Sequence, residues 1–255
     1  MTQAEKAIEF ERLHKKGHPL ILYNIWDVGT ARAVADSGAP ALATGSWSVA
    51  AAQGYRDGEH IPLSLLEDIV HRISACVELP LSVDFEGGFA PGGEQLARNV
   101  TRIVQAGAIG INFEDQIMGG HDLYLMQDQQ LRIETVREAA DALHIPLFIN
   151  ARTDVFLKER DPSQHEALLP MAIERALTYG EAGASGIFMP GLTQPALIEK
   201  AVEALPLPLN IMMMPGVPTP AELAALGVSR ISYGAGPYFD VIKALKEAAT
   251  YVYER

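Results

Sequence analysis

Apolar positions along the chain follow two alternating rhythms. Short runs that are apolar at nearly every position occupy 18–26, 37–46, 79–86, 106–115, 145–152, 182–191, 205–213 and 226–234. Between them lie stretches with apolar residues at three- and four-residue steps, such as LSLLEDIVHRISACVE, GEQLARNVTRIVQAG and LPMAIERALTYGEAG. Continuous apolar runs predict strands buried on both faces, and the three- and four-residue steps predict helices with one buried face. Four of the runs follow a glycine, at Gly38, Gly107, Gly183 and Gly227, placed where a helix ends in the left-handed conformation. Three others begin at a proline turn or near one, and the run at 18–26 is the first strand. Strand and helix repeated eight times imply a parallel sheet. Eight such units in 255 residues favour a closed (β/α)8 barrel, one domain over residues 1–255. A doubly wound open sheet is the alternative. No Gly-x-Gly-x-x-Gly follows the first strand, which counts against a dinucleotide fold.

Composition narrows the class of partner. Hydrophobic residues make up 48%, enough for a sizeable core. Lys and Arg total 20 against 32 Asp and Glu, a net charge of -12, and no basic block stands out. Nucleic acid and anionic membranes are therefore poor partners, and a small-molecule ligand is expected. The polar N-terminus lacks the apolar core of a signal peptide, and no apolar run reaches the ~20 residues of a membrane span. The single cysteine, Cys76, excludes a disulfide framework and fits the cytoplasm. It lies in a helical stretch and is expected to be a buried thiol.

In a barrel the C-terminal ends of the strands carry the chemistry. Here those ends are rich in polar residues: Asn24, Trp26 and Asp27; Thr44, Gly45 and Ser46; Asp84 and Glu86; Asn112, Glu114 and Asp115; Asn150, Arg152 and Asp154. Residues two apart on a strand share a face. Asp84 with Glu86, Asn112 with Glu114, and Asn150 with Arg152 are each expected to project together. Three carboxylates and a guanidinium would then converge on one small space. Like charges that close require a counter-cation or raised pKa values. Oxygen ligands without a His or Cys cluster suit Mg2+ or Mn2+. Arg152 suits a substrate carboxylate or phosphoryl group, held through its planar fork. Asp27 and Asp154 read as helix caps.

With these residues in place the chain resembles the isocitrate lyase / phosphoenolpyruvate mutase superfamily, from Asn24-Ile25-Trp26-Asp27 to Ser232-Tyr233-Gly234. The resemblance implies that Asp84, in Val83-Asp84-Phe85-Glu86-Gly87-Gly88-Phe89, is a direct Mg2+ ligand. Glu86 and Glu114 would act mostly through waters on the metal. It further implies that Arg152 and the Thr44-Gly45-Ser46 turn hold the substrate carboxylate, that Asp57 is a loop acid near the metal, and that Trp26 lines the pocket. The implied chemistry is cleavage or formation of a C–C or C–P bond beside a pyruvate-type enolate, whose developing charge is met by the cation and backbone N–H groups. A homodimer or homotetramer is implied too. The segment after the last strand, about one helix at 237–254, is short for the exchange of that helix between subunits seen in the family.

The sequence departs from the specialised members. The loop after the fourth strand reads QIMGGHDLYLM, residues 116–126, with neither the Lys-Lys/Arg-Cys-Gly-His stretch of the lyases nor the Lys/Arg-x-Asn-Ser stretch of the phosphonopyruvate enzymes. His121 is the one acid–base candidate there whose ordinary pKa is near neutral, and the two glycines before it suit a mobile lid. Pro190 stands where the lyases place a Glu. Glu86 replaces a usual Asp, a longer reach that a bridging water would tolerate. The expected function is Mg2+-dependent cleavage or decarboxylation of a small α-oxo or α-hydroxy carboxylate. Phosphonomutase or phosphonopyruvate hydrolase chemistry is the alternative, and a non-catalytic barrel that binds an oxo acid is a third.

Overall fold

The computed structural model describes residues 1–254. Each of the eight apolar runs contains a strand: β1 (Leu20–Leu22), β2 (Leu42–Ala43), β3 (Leu81–Asp84), β4 (Gly110–Glu114), β5 (Phe148–Arg152), β6 (Gly186–Phe188), β7 (Leu209–Met212) and β8 (Arg230–Ser232). All pair in parallel in the order β1-β8-β7-β6-β5-β4-β3-β2. The remaining seam, between β1 and β2, closes just past the strand ends through a parallel bridge between Ile25 and Thr44, with the Ile25 N–H donating to Ala43 O at 2.9 Å. Asn24 locks this seam: its amide donates to Thr44 O and its Oδ1 accepts from the N–H groups of Tyr233 and Gly234. The sheet is a closed (β/α)8 barrel.

Eight of the helices match the periodic stretches: α2 (Val28–Asp36), α4 (Leu63–Cys76), α5 (Gly93–Gln105), α6 (Met126–Asp141), α8 (His165–Glu181), α9 (Pro195–Ala204), α10 (Pro220–Ala225) and α11 (Gly236–Tyr253). Three more are α1 (Gln3–Arg12), α3 (Ser46–Ala52) and α7 (Val155–Lys158). α3 and α7 are one or two turns long and start directly from strand ends, so their residues read as turns in the sequence. Cys76, expected to be buried, is exposed at the last position of α4. It lies off the stripe of Leu66, Ile69, Val70 and Ile73 that this helix buries.

Outward-facing residues of the strands, such as Leu81, Val83, Ile111, Phe113, Ile149 and Ile211, pack under the helices in the main core. The barrel interior is different. At its N-terminal end α1 lies across the opening, and Phe10 packs edge-on to Phe148 with ring centroids 5.4 Å apart. These rings fit because two strands present glycine there. A Cβ on Gly110 would stand 3.2 Å from the Phe10 ring, and one on Gly186 3.0 Å from the Phe148 ring. Above this apolar floor the interior is polar and buried: Asn150 and Arg230 both donate to Asn112, and Asn210 pairs with Ser232. The branched aliphatic layers common in barrels of this kind are replaced by amides and a guanidinium.

Candidate active site at the barrel mouth

Asp84 closes β3. Its backbone N–H donates to Thr44 Oγ1 at 2.9 Å, and its carboxylate accepts from the Ser46 N–H (2.9 Å, Oδ2) and from Asn112 Nδ2 (3.3 Å, Oδ1). Ser46 is the first residue of α3, so the positive end of a short helix faces this carboxylate. The strand ends here. Glu86 was expected beside Asp84 by strand alternation, yet it lies past the strand in a left-handed backbone conformation, φ +49°, and so do Gly88 and Phe89. Non-glycine residues are strained in this region, and such strain gathers at functional sites. The neighbouring glycine is required sterically: a Cβ on Gly88 would sit 2.4 Å from Leu96 Cδ1.

The loop is held from outside the barrel. Arg132, on the buried face of α6, donates to the carbonyls of Gly87 and Ala90 and lies over the rings of Tyr124 and Phe113. Asn99 of α5 donates to the carbonyls of Gly88 and Phe89 at 3.0 Å. Glu86 itself is buried and accepts from the Glu59 N–H at 2.7 Å. Burial, with the charges of Asp57 and Asp84, pushes its pKa up to about 8. Glu59 in turn accepts from the Phe89 N–H, and burial raises its pKa. Asp57 sits exposed at the rim. Packing around its carboxyl and then the Asp84 charge raise its pKa, against a hydrogen bond from Ser46.

On the opposite side, β4 and β5 present Glu114 and Arg152 as register neighbours. Glu114 Oε2 lies 2.7 Å from Arg152 Nη1. Arg152 also makes a two-pronged contact with Asp154, Nε to Oδ1 at 2.6 Å and Nη2 to Oδ2 at 2.9 Å. Asp154 stands at the N-cap position of α7, as the sequence suggested, but its carboxylate makes no cap hydrogen bond and holds Arg152 instead. Asp27 does cap its helix, accepting from the Thr30 N–H at 2.7 Å. Burial opposes the Arg152 charge, but Glu114 and Asp154 outweigh it and hold the guanidinium firmly protonated. Burial also raises Glu114, against the pull of Arg152. Two of the five guanidinium N–H groups, on Nε and Nη2, are committed to Asp154, Nη1 meets Glu114 as an ion pair, and the other N–H groups carry no hydrogen bond within the protein.

The structure thus brings Asp57, Asp84, Glu86, Glu114 and Arg152 to one mouth, with Thr44, Gly45 and Ser46 against Asp84. Trp26 is buried nearby and packs edge-on to Tyr238, centroids 5.0 Å apart. The N–H groups of the turn are engaged within the protein: Gly45 with Ile25 O and Ser46 with Asp84. His121 does not join the group. It is exposed on the lid at 116–126, and no described hydrogen bond or ion pair ties it to the carboxylates. Beside the mouth, a cavity of about 380 Å³ is lined by Glu59, Phe89, Met118, Tyr124 and Arg132, among others. Sequence reasoning passed over Glu59, Asn99 and Arg132. Arg132 did carry a signal, since it falls at helical spacing with Ile133 and Val136 on the buried face of α6.

Among the described residues no three His, Cys, Asp or Glu side chains are arranged to hold a metal ion between them. Glu86 and Glu114, expected to act mostly through waters on the metal, are engaged within the protein, Glu114 by Arg152 and Glu86 by the Glu59 N–H. The residues still fit a hard divalent cation. Mg2+ keeps several waters and takes one or two protein carboxylates. Asp84, half-buried at the mouth and carrying just two hydrogen-bond donors on its carboxylate, is placed so that it could supply one.

A closed (β/α)8 barrel with clustered acids and an anchored arginine at its C-terminal mouth defines an enzyme architecture. Residues 10–253 match the phosphoenolpyruvate phosphomutase family, and the chain belongs to it, within the isocitrate lyase / phosphoenolpyruvate mutase superfamily. A "putative phosphonomutase" from Burkholderia cenocepacia J2315 has a solved structure that is 44% identical, covers all of both chains and superposes with a TM-score of 0.95. The 2-methylisocitrate lyase of Escherichia coli (strain K12) is 32% identical over 203 residues, 75% of this chain and 64% of that one. A phosphonopyruvate hydrolase solved in complex with oxalate and Mg++ shares the fold at 20% identity, with a TM-score of 0.84 over 100% of this chain and 88% of that one.

Proposed function

We propose that this single-domain barrel is a cytoplasmic, Mg2+-dependent (or Mn2+-dependent) enzyme that acts on a small α-oxo or α-hydroxy carboxylate through an enolate, by C–C cleavage or decarboxylation. The observation that carries the reading is the pairing at the mouth of the half-buried Asp84 carboxylate with an Arg152 that is held by Asp154 and Glu114 and keeps N–H groups free of hydrogen bonds. Asp84 would hold the cation, with Glu86 and Glu114 behind it. The bound cation would supply charge stabilisation for a developing enolate oxygen. Arg152, held by Glu114 and Asp154, would orient a substrate carboxylate through the N–H groups that no protein hydrogen bond occupies. The Thr44–Ser46 turn and Trp26 bound the space that carboxylate occupies, and Asp57 and Glu114 stand as acids able to hold a proton beside it. His121, on the lid at 116–126, is exposed and would reach this space only if the lid moved over the mouth.

A second reading is C–P chemistry, favoured by the 44% identity to a "putative phosphonomutase" over the whole chain. Against it, the lid at 116–126 brings neither Lys nor Arg to a transferring phosphoryl group. One experiment separates the two. The Mg2+-loaded protein is incubated with phosphonopyruvate, phosphoenolpyruvate and a panel of oxo and hydroxy acids, followed by 31P and 1H NMR. Turnover confined to carbon acids is expected. Phosphorus signals that move while every carbon acid persists would replace this reading by the second. Binding across the panel without any turnover would leave a non-catalytic oxo-acid barrel.

We further propose a homodimer or homotetramer, supported by α11. Past its first turn every residue of this helix but the half-buried Ala249 is exposed, and Phe239, Ile242, Leu245 and Val252 are at least two-fifths exposed.

A further inference from the structure

The barrel interior holds a cation that the mouth chemistry above leaves unused. Arg230, on β8, is fully buried, and no described carboxylate lies within ion-pair distance of it. Its hydrogen bond crosses the barrel to β4, where Nη2 donates to Asn112 Oδ1 at 3.1 Å, while Nε and Nη1 have no partner. The same Asn112 oxygen accepts from Asn150 Nδ2 at 2.9 Å. Two donors on one amide oxygen decide which end of the amide is which. The NH2 end is left facing Asp84, 3.3 Å from Oδ1. The Ser46 N–H holds the other oxygen. Asp84 is thus gripped from the mouth by a helix terminus and from the interior by an amide that a buried guanidinium orients.

We propose that Arg230 is a positioning residue for Asp84: acting through Asn112, it presets the carboxylate that receives the divalent cation. This rests on the assignment of Asp84 as the cation ligand. The sign of the effect separates positioning from simple electrostatics. A buried positive charge repels an incoming Mg2+, so if charge alone counted, removing Arg230 would tighten binding. If orientation counts more, removing it weakens binding despite the lost repulsion. Partners that orient metal ligands typically contribute 10–100-fold to affinity.

The test is calorimetric titration of Mg2+ into the folded, substrate-free full chain and its variants, with folding checked by circular dichroism. Arg230→Met is expected to weaken Mg2+ binding by about tenfold. Arg230→Lys keeps a charged donor and is expected to stay within a few-fold of the unaltered protein. Asn112→Leu should match Arg230→Met, and the double variant should bind no more weakly than Asn112→Leu, since both changes break one relay. Arg230→Met binding as tightly as the unaltered protein, or tighter, overturns the proposal. So does a double variant whose losses multiply. Where Arg230→Met fails to fold, Asn112→Leu decides, and unaltered affinity there overturns the relay. An unaltered protein that does not bind Mg2+ removes the Asp84 assignment itself, whereas tight binding that survives both changes but is lost in Asp84→Ala leaves that assignment standing without the relay.

Discussion

His14 follows α1 and stacks on Phe148 at 4.1 Å with the rings 16° from parallel. Its Nδ1 lies 2.8 Å from Phe10 O, which makes Nδ1 the protonated nitrogen, and its buried Nε2 has no partner. Burial and then the Arg230 charge push its pKa down from 6.5 to about 3. The folded state therefore keeps His14 neutral where the unfolded chain would protonate it. Below pH 6.5 the unfolded state binds more protons, so this contribution is fully present above 6.5 and is lost as pH falls toward 3. His14→Phe keeps the ring and cannot be protonated. It is expected to lose less stability than the unaltered protein between pH 7 and 4.5, by about 2–3 kcal/mol, in urea titrations at each pH. Equal losses in the two proteins would show that His14 does not titrate with unfolding. Nothing in the sequence marked this residue, because its environment is made by β5 and β8, far away along the chain.

At the scale of elements, α11 leads to a prediction. Tyr238, Ile242, Leu245, Ala249 and Val252 recur at steps of four and three, the spacing of a seam that packs on another helix. Within one chain, of this helix just Pro237 is buried. Sedimentation velocity at micromolar concentration is expected to show a dimer or tetramer, and Leu245→Glu with Val252→Glu to shift it toward monomer. A monomer in the unaltered protein would contradict the oligomer. The strands were legible because burial on both faces leaves a continuous apolar run, and Gly38, Gly107, Gly183 and Gly227 do adopt positive φ at helix ends. α3 and α7 were not, since seven and four residues carry too few turns for a period to show. The loop at 86–89 misled strand alternation for a related reason: its backbone is shaped by Arg132 and Asn99 reaching in from neighbouring helices.

Across the whole molecule the barrel reads as a vertical series of layers. Phe10 and Phe148 seal the bottom, a band of Asn112, Asn150, Asn210 and Arg230 fills the middle, and Asp84, Glu114 and Arg152 meet at the mouth. Residue types at strand ends foretold the mouth, because acids and an arginine are costly there without a task. They did not foretell that Arg152 is shared between Glu114 and Asp154, which depends on the β4–β5 register and on the turn of the chain just past β5. The central claim is that this mouth binds a divalent cation and, with it, an oxo acid. Oxalate resembles the enolate of pyruvate in shape and charge, so the most direct measurement is calorimetric titration of the Mg2+-loaded protein with oxalate, repeated with EDTA. Tight binding that EDTA abolishes is the predicted result. Absence of binding, or binding indifferent to EDTA, would contradict the claim and leave the clustered acids without a cation to hold.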